Sequence, residues 1–114
     1  MTTLICTKTW STCRKAVALL EEHNIEYTYR EYKKNPLSKK EITDMLQKLG
    51  EPANTLLRKR DKAYKEFSLT GKEDDATLVP LFETHPTLMQ RPIFIHNDQA
   101  VVGRPIETML TILS

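Results

Sequence analysis

Two cysteines and the polar residues around them are the part of this sequence best suited to chemistry. Cys13 lies where a short apolar strand, residues 4–6, gives way to an amphipathic helix, and Arg14 and Lys15 follow it. The free N–H groups of a helix N-terminus favour an anion or a thiolate, and neighbouring cations act in the same direction. Such a thiol ionises below the ~8.5 of a free cysteine and becomes a nucleophile. The turn is therefore a candidate thiol site centred on Cys13.

The same cysteines also have plainer interpretations. Cys13 fits a buried helix face with Val17 and Leu20, because free cysteine is among the residue types most often found in protein cores. Cys6, at the end of the strand, fits the core in the same way. A Cys6–Cys13 disulfide is a further alternative, and it depends on a Cα separation that the sequence does not give.

The residues just before Cys13 define the surroundings of the candidate thiol. A redox motif of the usual layout has a second cysteine three residues earlier, and Trp10 stands there. Trp10 is interpreted as a loop aromatic packed on the fold, as a stacking platform, or as a plug over the site, since a large apolar ring prefers burial. Ser11 or Thr12 is predicted to cap the helix.

The composition favours one globular domain. The chain has 114 residues, enough to bury a core without disulfides, and its net charge of +2 does not demand nucleic acid. No apolar run approaches the ~20 residues that span a bilayer, and the N-terminus lacks a signal-peptide pattern. We therefore expect a cytoplasmic protein that binds neither nucleic acid nor a membrane. The histidines lack metal-ligand spacing, so neither a metal nor a bound cofactor is predicted.

The hydrophobic pattern predicts the element order β-α-β, a helical insert over about 51–90, and β-β-α. Residues 25–32 alternate as a second strand, and Ser38 and Glu41 form a capping box for the next helix, which Gly50 ends. Residues 92–96 and 100–102 form a hairpin, followed by a last helix with Ile106, Met109, Leu110 and Leu113 facing inward. A crossover helix requires parallel strands and a hairpin antiparallel ones. The prediction is an α/β, thioredoxin-like fold: a mixed four-stranded sheet flanked by helices, as a single domain over 1–114.

Four motifs in this order resemble the arsenate reductase (ArsC)/Spx family of thioredoxin-like proteins. They are the turn at residues 10–16, Leu56-Leu57-Arg58-Lys59 with Tyr64 after it, His85-Pro86 leading to Gln90-Arg91-Pro92-Ile93, and Gly103-Arg104-Pro105. The resemblance covers nearly the whole chain.

The resemblance implies an anion-binding pocket of Arg58, Arg91 and Arg104. In the reductase branch, arginines at the matching positions hold the oxyanion, and planar guanidinium groups suit its several charged oxygens. The plainer interpretation of each arginine is a solvated surface side chain. The resemblance also implies a cis peptide bond before Pro92. The family's nucleophilic cysteine corresponds to Trp10, and Cys13 corresponds to the second cysteine of the Cys-x-x-Cys motif of Spx-type members.

Three functions are implied. The first is an arsenate reductase-like thiol oxidoreductase with Cys13 as catalytic thiol and glutathione or glutaredoxin as electron donor; Arg104 favours this branch. The second is a non-catalytic, Spx-like transcriptional regulator that binds RNA polymerase, without a Cys-x-x-Cys switch because Trp10 replaces one sulfur. The third is a degenerate family member that binds a small anion or a thiol compound without turnover.

Overall fold

The computed structural model describes residues 2–7 and 11–113, which form two compact units. The first contains the described residues up to Asn35 and from Arg91 onward, and the second is Pro36–Gln90. The predicted insert, 51–90, lies inside the second unit, which also contains the helix before it. The single-domain interpretation stays a prediction. Within the described part of the chain, none of the helices combines the length and the apolar character needed to cross a membrane.

The first unit is built on a mixed four-stranded sheet. Its strands are β1 (Thr2–Cys6), β2 (Thr28–Glu31), β3 (Ile93–His96) and β4 (Gln99–Val102), in the order β2-β1-β3-β4. β1 runs parallel to β2 and antiparallel to β3, which pairs antiparallel with β4. The helix α1 (Ser11–Glu22) lies between β1 and β2, as a parallel connection requires. The predicted thioredoxin-like architecture is confirmed.

The core of this unit is formed where α1 and the last helix cover the sheet. Leu4 and Phe94 are direct partners across β1 and β3, and neither side chain is exposed. α1 contributes the buried Cys13, Ala16 and Leu20, a spacing that places them on one helical face. The face predicted from the sequence is therefore confirmed at Cys13 and Leu20, whereas Val17 is only partly buried and packs against this core.

The last helix differs from the prediction. Ile106–Ile112 is a 3₁₀ helix, and Met109 and Ile112 are its buried residues. A 3₁₀ helix has 3.0 residues per turn, so side chains three apart lie on the same face. The inward face therefore includes Ile112, whereas the α-helical period predicted Leu110 and Leu113, which are only partly buried.

The second unit is helical. It contains α2 (Lys39–Leu49), α3 (Lys62–Glu66) and α4 (Asp75–Thr84), with 3₁₀ turns at Ala53–Leu56 and Pro86–Leu88. The predicted capping box is present: Ser38 Oγ accepts from the Glu41 N–H, and Glu41 accepts from the Ser38 N–H. Gly50 ends α2 with φ 74°, in the left-handed region that favours glycine. Ile42 and Met45 bury the apolar face of α2.

Candidate functional site

The structure joins Cys6 and Cys13 in a disulfide. Cys6 is the last residue of β1 and Cys13 is the third residue of α1, so the bond spans the strand-to-helix turn. Their Cα atoms are 5.8 Å apart, inside the usual disulfide range. Both side chains are fully buried. Two of the alternatives that the sequence left open therefore occur together: the two cysteines form a disulfide, and both are buried in the core.

The Cys13 sulfur accepts a hydrogen bond from the backbone. The N–H of Thr7 donates to Cys13 Sγ at 3.3 Å, and Thr7 itself is buried. Cys13 also lies in the first turn of α1, where helical N–H groups lack intrahelical acceptors. Such donors stabilise negative charge on sulfur. The Cys13 sulfur therefore has a polar contact within an otherwise apolar core.

A cavity of about 460 Å³ lies beside Cys13. Its described lining consists of α1 residues and residues at or just before β2, namely Cys13, Arg14, Val17, Glu21, Tyr27 and Tyr29. Burial, followed by the charges of Glu31 and Tyr27, raises the pKa of Tyr29 to about 12. Burial and the charge of Glu21 raise the pKa of Tyr27 as well. Both phenols are therefore neutral near pH 7, when they can donate or accept hydrogen bonds.

Arg91 is a buried cation in the same unit. Its side chain is only 5% exposed, and its Nη1 lies 3.5 Å from the hydroxyl of the buried Tyr32. The peptide bond between Arg91 and Pro92 is cis, which confirms the prediction for Pro92. The plain interpretation of Arg91 as a solvated surface residue is therefore wrong.

Gly103 brings Arg104 next to Arg91. The Gly103 N–H donates to the Pro92 carbonyl at 2.8 Å, and a Cβ at Gly103 would lie 2.8 Å from Pro92 Cγ. Only glycine allows this approach without a shift. The next residue, Arg104, donates from Nε to the Arg91 carbonyl at 2.8 Å. Two of the three predicted arginines are thus in direct contact, and the Arg104–Pro105 bond is also cis.

Arg58, the third predicted arginine, belongs to the second unit. It follows a β-bridge between Leu57 and Met89, and its backbone N–H donates to the Leu88 carbonyl at 2.7 Å. Its side chain is partly exposed and forms an ion pair with Asp61 at 3.6 Å. The backbone of Arg58 is therefore well anchored, and its membership of a shared pocket stays a prediction.

The supporting residues predicted around Cys13 have different positions. Ser11 and Thr12 lie inside the first turn of α1, so neither precedes the helix as the predicted cap would. Ser11 and Arg14 are exposed, and Thr12 is half-buried. Trp10 lies outside the described residues. Among residues 2–7 and 11–113, no group of three or more His, Cys, Asp or Glu residues is arranged to hold a metal ion.

Sequence reasoning missed three contributors to this site. Thr7 acts through its backbone N–H, a group that every residue except proline carries, so its sequence gives no signal. Tyr32 meets Arg91 across a separation of 59 residues, which no local pattern reveals. Tyr27 belongs to the alternating pattern of residues 25–32, and that pattern gives no sign of the cavity that Tyr27 lines with residues of α1.

Comparisons with known proteins agree with this geometry. The model of the ArsC family matches residues 6–112. Arsenate reductase from Neisseria meningitidis serogroup A is 36% identical over 105 residues, 90% of each chain. Global transcriptional regulator Spx from Listeria innocua is 34% identical over 106 residues, 90% of this chain and 79% of that protein. The solved structure of an arsenate reductase from Vibrio cholerae is 32% identical, with a TM-score of 0.91 over 98% of this chain and 97% of that one. The chain belongs to the ArsC family.

Proposed function

We propose that this chain is an arsenate reductase-like thiol oxidoreductase, with Cys13 as its reactive thiol. The observation that carries the proposal is the Cys6–Cys13 disulfide at the start of α1. A sulfur that forms a disulfide with a neighbour 5.8 Å away by Cα is already part of a two-electron redox pair. Glutathione or glutaredoxin would supply the electrons that restore the thiols.

The buried guanidinium of Arg91 supports an oxyanion substrate. The guanidinium of Arg91 is a permanent cation with five N–H donors, and it lies in a largely dehydrated position, where its attraction for an anion is strong. Arg104 is fixed through Nε to the Arg91 backbone, and a guanidinium has further N–H donors on its two terminal nitrogens. The guanidinium groups of Arg91 and Arg104 would bind a tetrahedral anion through charge-assisted, bidentate hydrogen bonds, and the family resemblance adds Arg58 as a predicted third ligand.

Arsenate reduction in the presence of glutathione and glutaredoxin tests the proposal. We expect turnover by the parent chain and none above the uncatalysed rate for Cys13→Ser. Arg58→Ala and Arg91→Lys should each weaken arsenate binding by about 10- to 100-fold, the range expected for a lost charge-assisted hydrogen bond. Arg60→Ala, an exposed arginine close in sequence to Arg58, is the matched control and should bind as the parent does.

The Trp10→Cys variant tests whether the parent chain already contains the catalytic thiol. It places a thiol where the family's nucleophile is expected. An inactive parent together with an active Trp10→Cys chain would overturn the role of Cys13, because the scaffold would then be intact and the reactive sulfur missing. Sulfate-induced thermal stabilisation, measured separately, reports on the anion pocket without requiring turnover.

A Spx-like regulator that binds RNA polymerase is the second candidate. The observation in its favour is a set of relatives named global transcriptional regulator Spx, at 32–34% identity. Binding of RNA polymerase to the immobilised chain, with the disulfide intact and after reduction, distinguishes the two. Tight binding together with no arsenate turnover would favour the regulator.

A further inference from the structure

We infer that Cys6 is the resolving thiol of this site and that Cys13 is the sulfur at which reaction partners are exchanged. The inference rests on the proposed function and adds a reacting role for Cys6. The two residues are seven positions apart. This pair therefore takes the place of a Cys-x-x-Cys motif, in which Trp10 would occupy the position of the first cysteine.

The backbone holds the two sulfurs together before any reaction occurs. Cys6 is fixed in β1, where it is the register partner of Glu31, and its carbonyl accepts from the Tyr32 N–H at 3.2 Å. Cys13 is fixed in the first turn of α1. A nucleophile held at bonding distance reacts with a very high effective concentration. Cys6 should therefore outcompete any external thiol for a partner bound to Cys13.

The surroundings of the two sulfurs assign their separate roles. Both side chains are buried in the same core cluster, but Cys13 also lines the cavity with Arg14 and Tyr27, whereas Cys6 is not part of the described cavity lining. Cys13 also receives the Thr7 N–H, which favours the attacking thiolate. A reagent that enters the cavity therefore meets Cys13 first, and Cys6 can react only with a group already on Cys13.

The reductive half of the cycle balances with these two thiols. The Cys13 thiolate bonds to the arsenic of arsenate, and one arsenate oxygen takes up two protons and leaves as water. The Cys6 thiolate then attacks the Cys13 sulfur, and the electron pair of the S–As bond stays on arsenic. Arsenic goes from As(V) to As(III) and leaves as arsenite, while the two sulfurs lose two electrons and form the disulfide.

Two equivalents of a low-molecular-weight thiol restore the dithiol. The first thiolate enters the cavity and attacks Cys13, and Cys6 leaves as a thiolate that takes up a proton. The second thiolate attacks the outer sulfur of the mixed disulfide, which releases Cys13 and a small-molecule disulfide. The disulfide in the structure is thus the oxidised resting state of this cycle.

Reaction of the reduced chain with glutathione disulfide, followed by acid quenching and mass spectrometry, tests the assignment without arsenate. The parent should pass to the Cys6–Cys13 disulfide with no lasting adduct. Cys6→Ala should retain one glutathione on Cys13, and Cys13→Ala should be modified at least about tenfold more slowly than Cys6→Ala. A lasting adduct on the parent, or equal rates for the two variants, would overturn the inference.

Limited alkylation of the reduced parent provides a test that needs no substitution. Peptide mapping should find Cys13 labelled before Cys6, and the reverse order would contradict the assignment. Should Cys6→Ala fail to fold, as judged by circular dichroism, Cys6→Ser takes its place. Arsenate turnover is measured separately. If the glutathione adducts form as expected but arsenate is not reduced, the proposed function is rejected and the roles of the two thiols stand. If arsenate is reduced but the adducts differ from those expected, the proposed function stands and the roles of the two thiols are rejected.

Discussion

The two units of the chain use polar side chains in opposite ways. In the second unit, polar groups cap helix ends near the surface, as Ser38, Asp61 and Asp74 do for α2, α3 and α4. In the first unit, the polar Thr7 and the charged Arg91 lie inside the structure, at 2% and 5% exposure. A helix cap stabilises a protein by about 1 kcal/mol, whereas burial of a charge costs free energy unless a partner compensates it.

This difference indicates where the chemistry lies. Every cap of the second unit has a purely structural explanation, because it satisfies an N–H that the helix leaves open. Arg91 instead lies inside the first unit, with its Nη1 3.5 Å from the hydroxyl of Tyr32. The same unit contains the disulfide and the cavity beside Cys13. The buried polar groups of the first unit thus lie in the same unit as the disulfide, whereas the capping groups of the second unit serve its helix ends.

The largest expected effect concerns the apolar cores, in which the two units should be alike. Phe94 in the first unit and Phe82 in the second are both fully buried. Truncation to alanine should lower the free energy of unfolding by about 3–5 kcal/mol in each case, through lost burial and the cavity left behind. Urea denaturation measures both values.

The matched control for these truncations is Phe67→Ala. Phe67 is 40% exposed and makes an edge-to-face contact with His85, with ring centroids 4.8 Å apart. We expect a loss of about 1 kcal/mol there. If Phe94→Ala cost no more than Phe67→Ala, the interior of the first unit would not be a packed core.

A glycine in each unit gives the next largest contrast. Gly103→Ala should cost about 1–3 kcal/mol, because the new Cβ would lie 2.8 Å from Pro92 Cγ and 3.1 Å from Met109 Cγ. Gly50→Ala should cost about 1 kcal/mol for a different reason, its φ of 74°, since no atom lies within 4 Å of a Cβ there.

Asparagine at the same two positions separates the causes. Asn tolerates the left-handed conformation, so Gly50→Asn should be more stable than Gly50→Ala. Asn is larger than Ala, so Gly103→Asn should be less stable than Gly103→Ala. Thermal melts of the four variants measure these relative stabilities. If the Ala and Asn variants had the same order of stability at both positions, a single cause, either backbone conformation or side-chain size, would operate in both units.

The cap of α2 gives a smaller effect. Ser38→Ala removes the side-chain acceptor for the Glu41 N–H and should cost about 1 kcal/mol, whereas Ser38→Gly should cost only a few tenths. Neither variant should change the rate at which Cys13 reacts with glutathione disulfide. Thr43→Ala, an exposed position within α2, is the control. A slower Cys13 reaction in Ser38→Ala would contradict the separation of structural and chemical polar groups.

The sequence predicts local features of this fold well and distant contacts poorly. The capping box at Ser38, the stop at Gly50 and the apolar face of α1 depend on residues within a few turns, so their patterns are visible in the sequence. The register of the last helix was wrong because an apolar run does not distinguish 3.0 from 3.6 residues per turn. Arg91 could be matched to a family motif, yet its burial against Tyr32 depends on the sheet that brings them together.

The last predicted effect concerns Tyr29 at the cavity and is confined to alkaline pH. Its pKa is about 12 in the folded chain, against 10.0 for a free tyrosine. Between these values the folded state keeps a proton that the unfolded chain releases, so stability falls as the pH rises from about 10 to about 12. Below about pH 10 this contribution is fully present. Tyr29→Phe should make the stability curve flatter in that window, as measured by urea denaturation at a series of pH values.

Two different causes raise the pKa of Tyr29, and a second variant separates them. Burial is the largest cause of the raised pKa, and the charge of Glu31 comes second. Glu31→Gln should therefore lower the pKa of Tyr29 in a spectrophotometric phenol titration but leave it above 10, because the poorly hydrated surroundings remain. If the pKa of Tyr29 returned to 10 in this variant, the charge of Glu31, not burial, would be the main cause of the raised pKa. The cavity would then be well hydrated, and the contrast with the surface caps of the second unit would weaken at the point nearest the proposed chemistry.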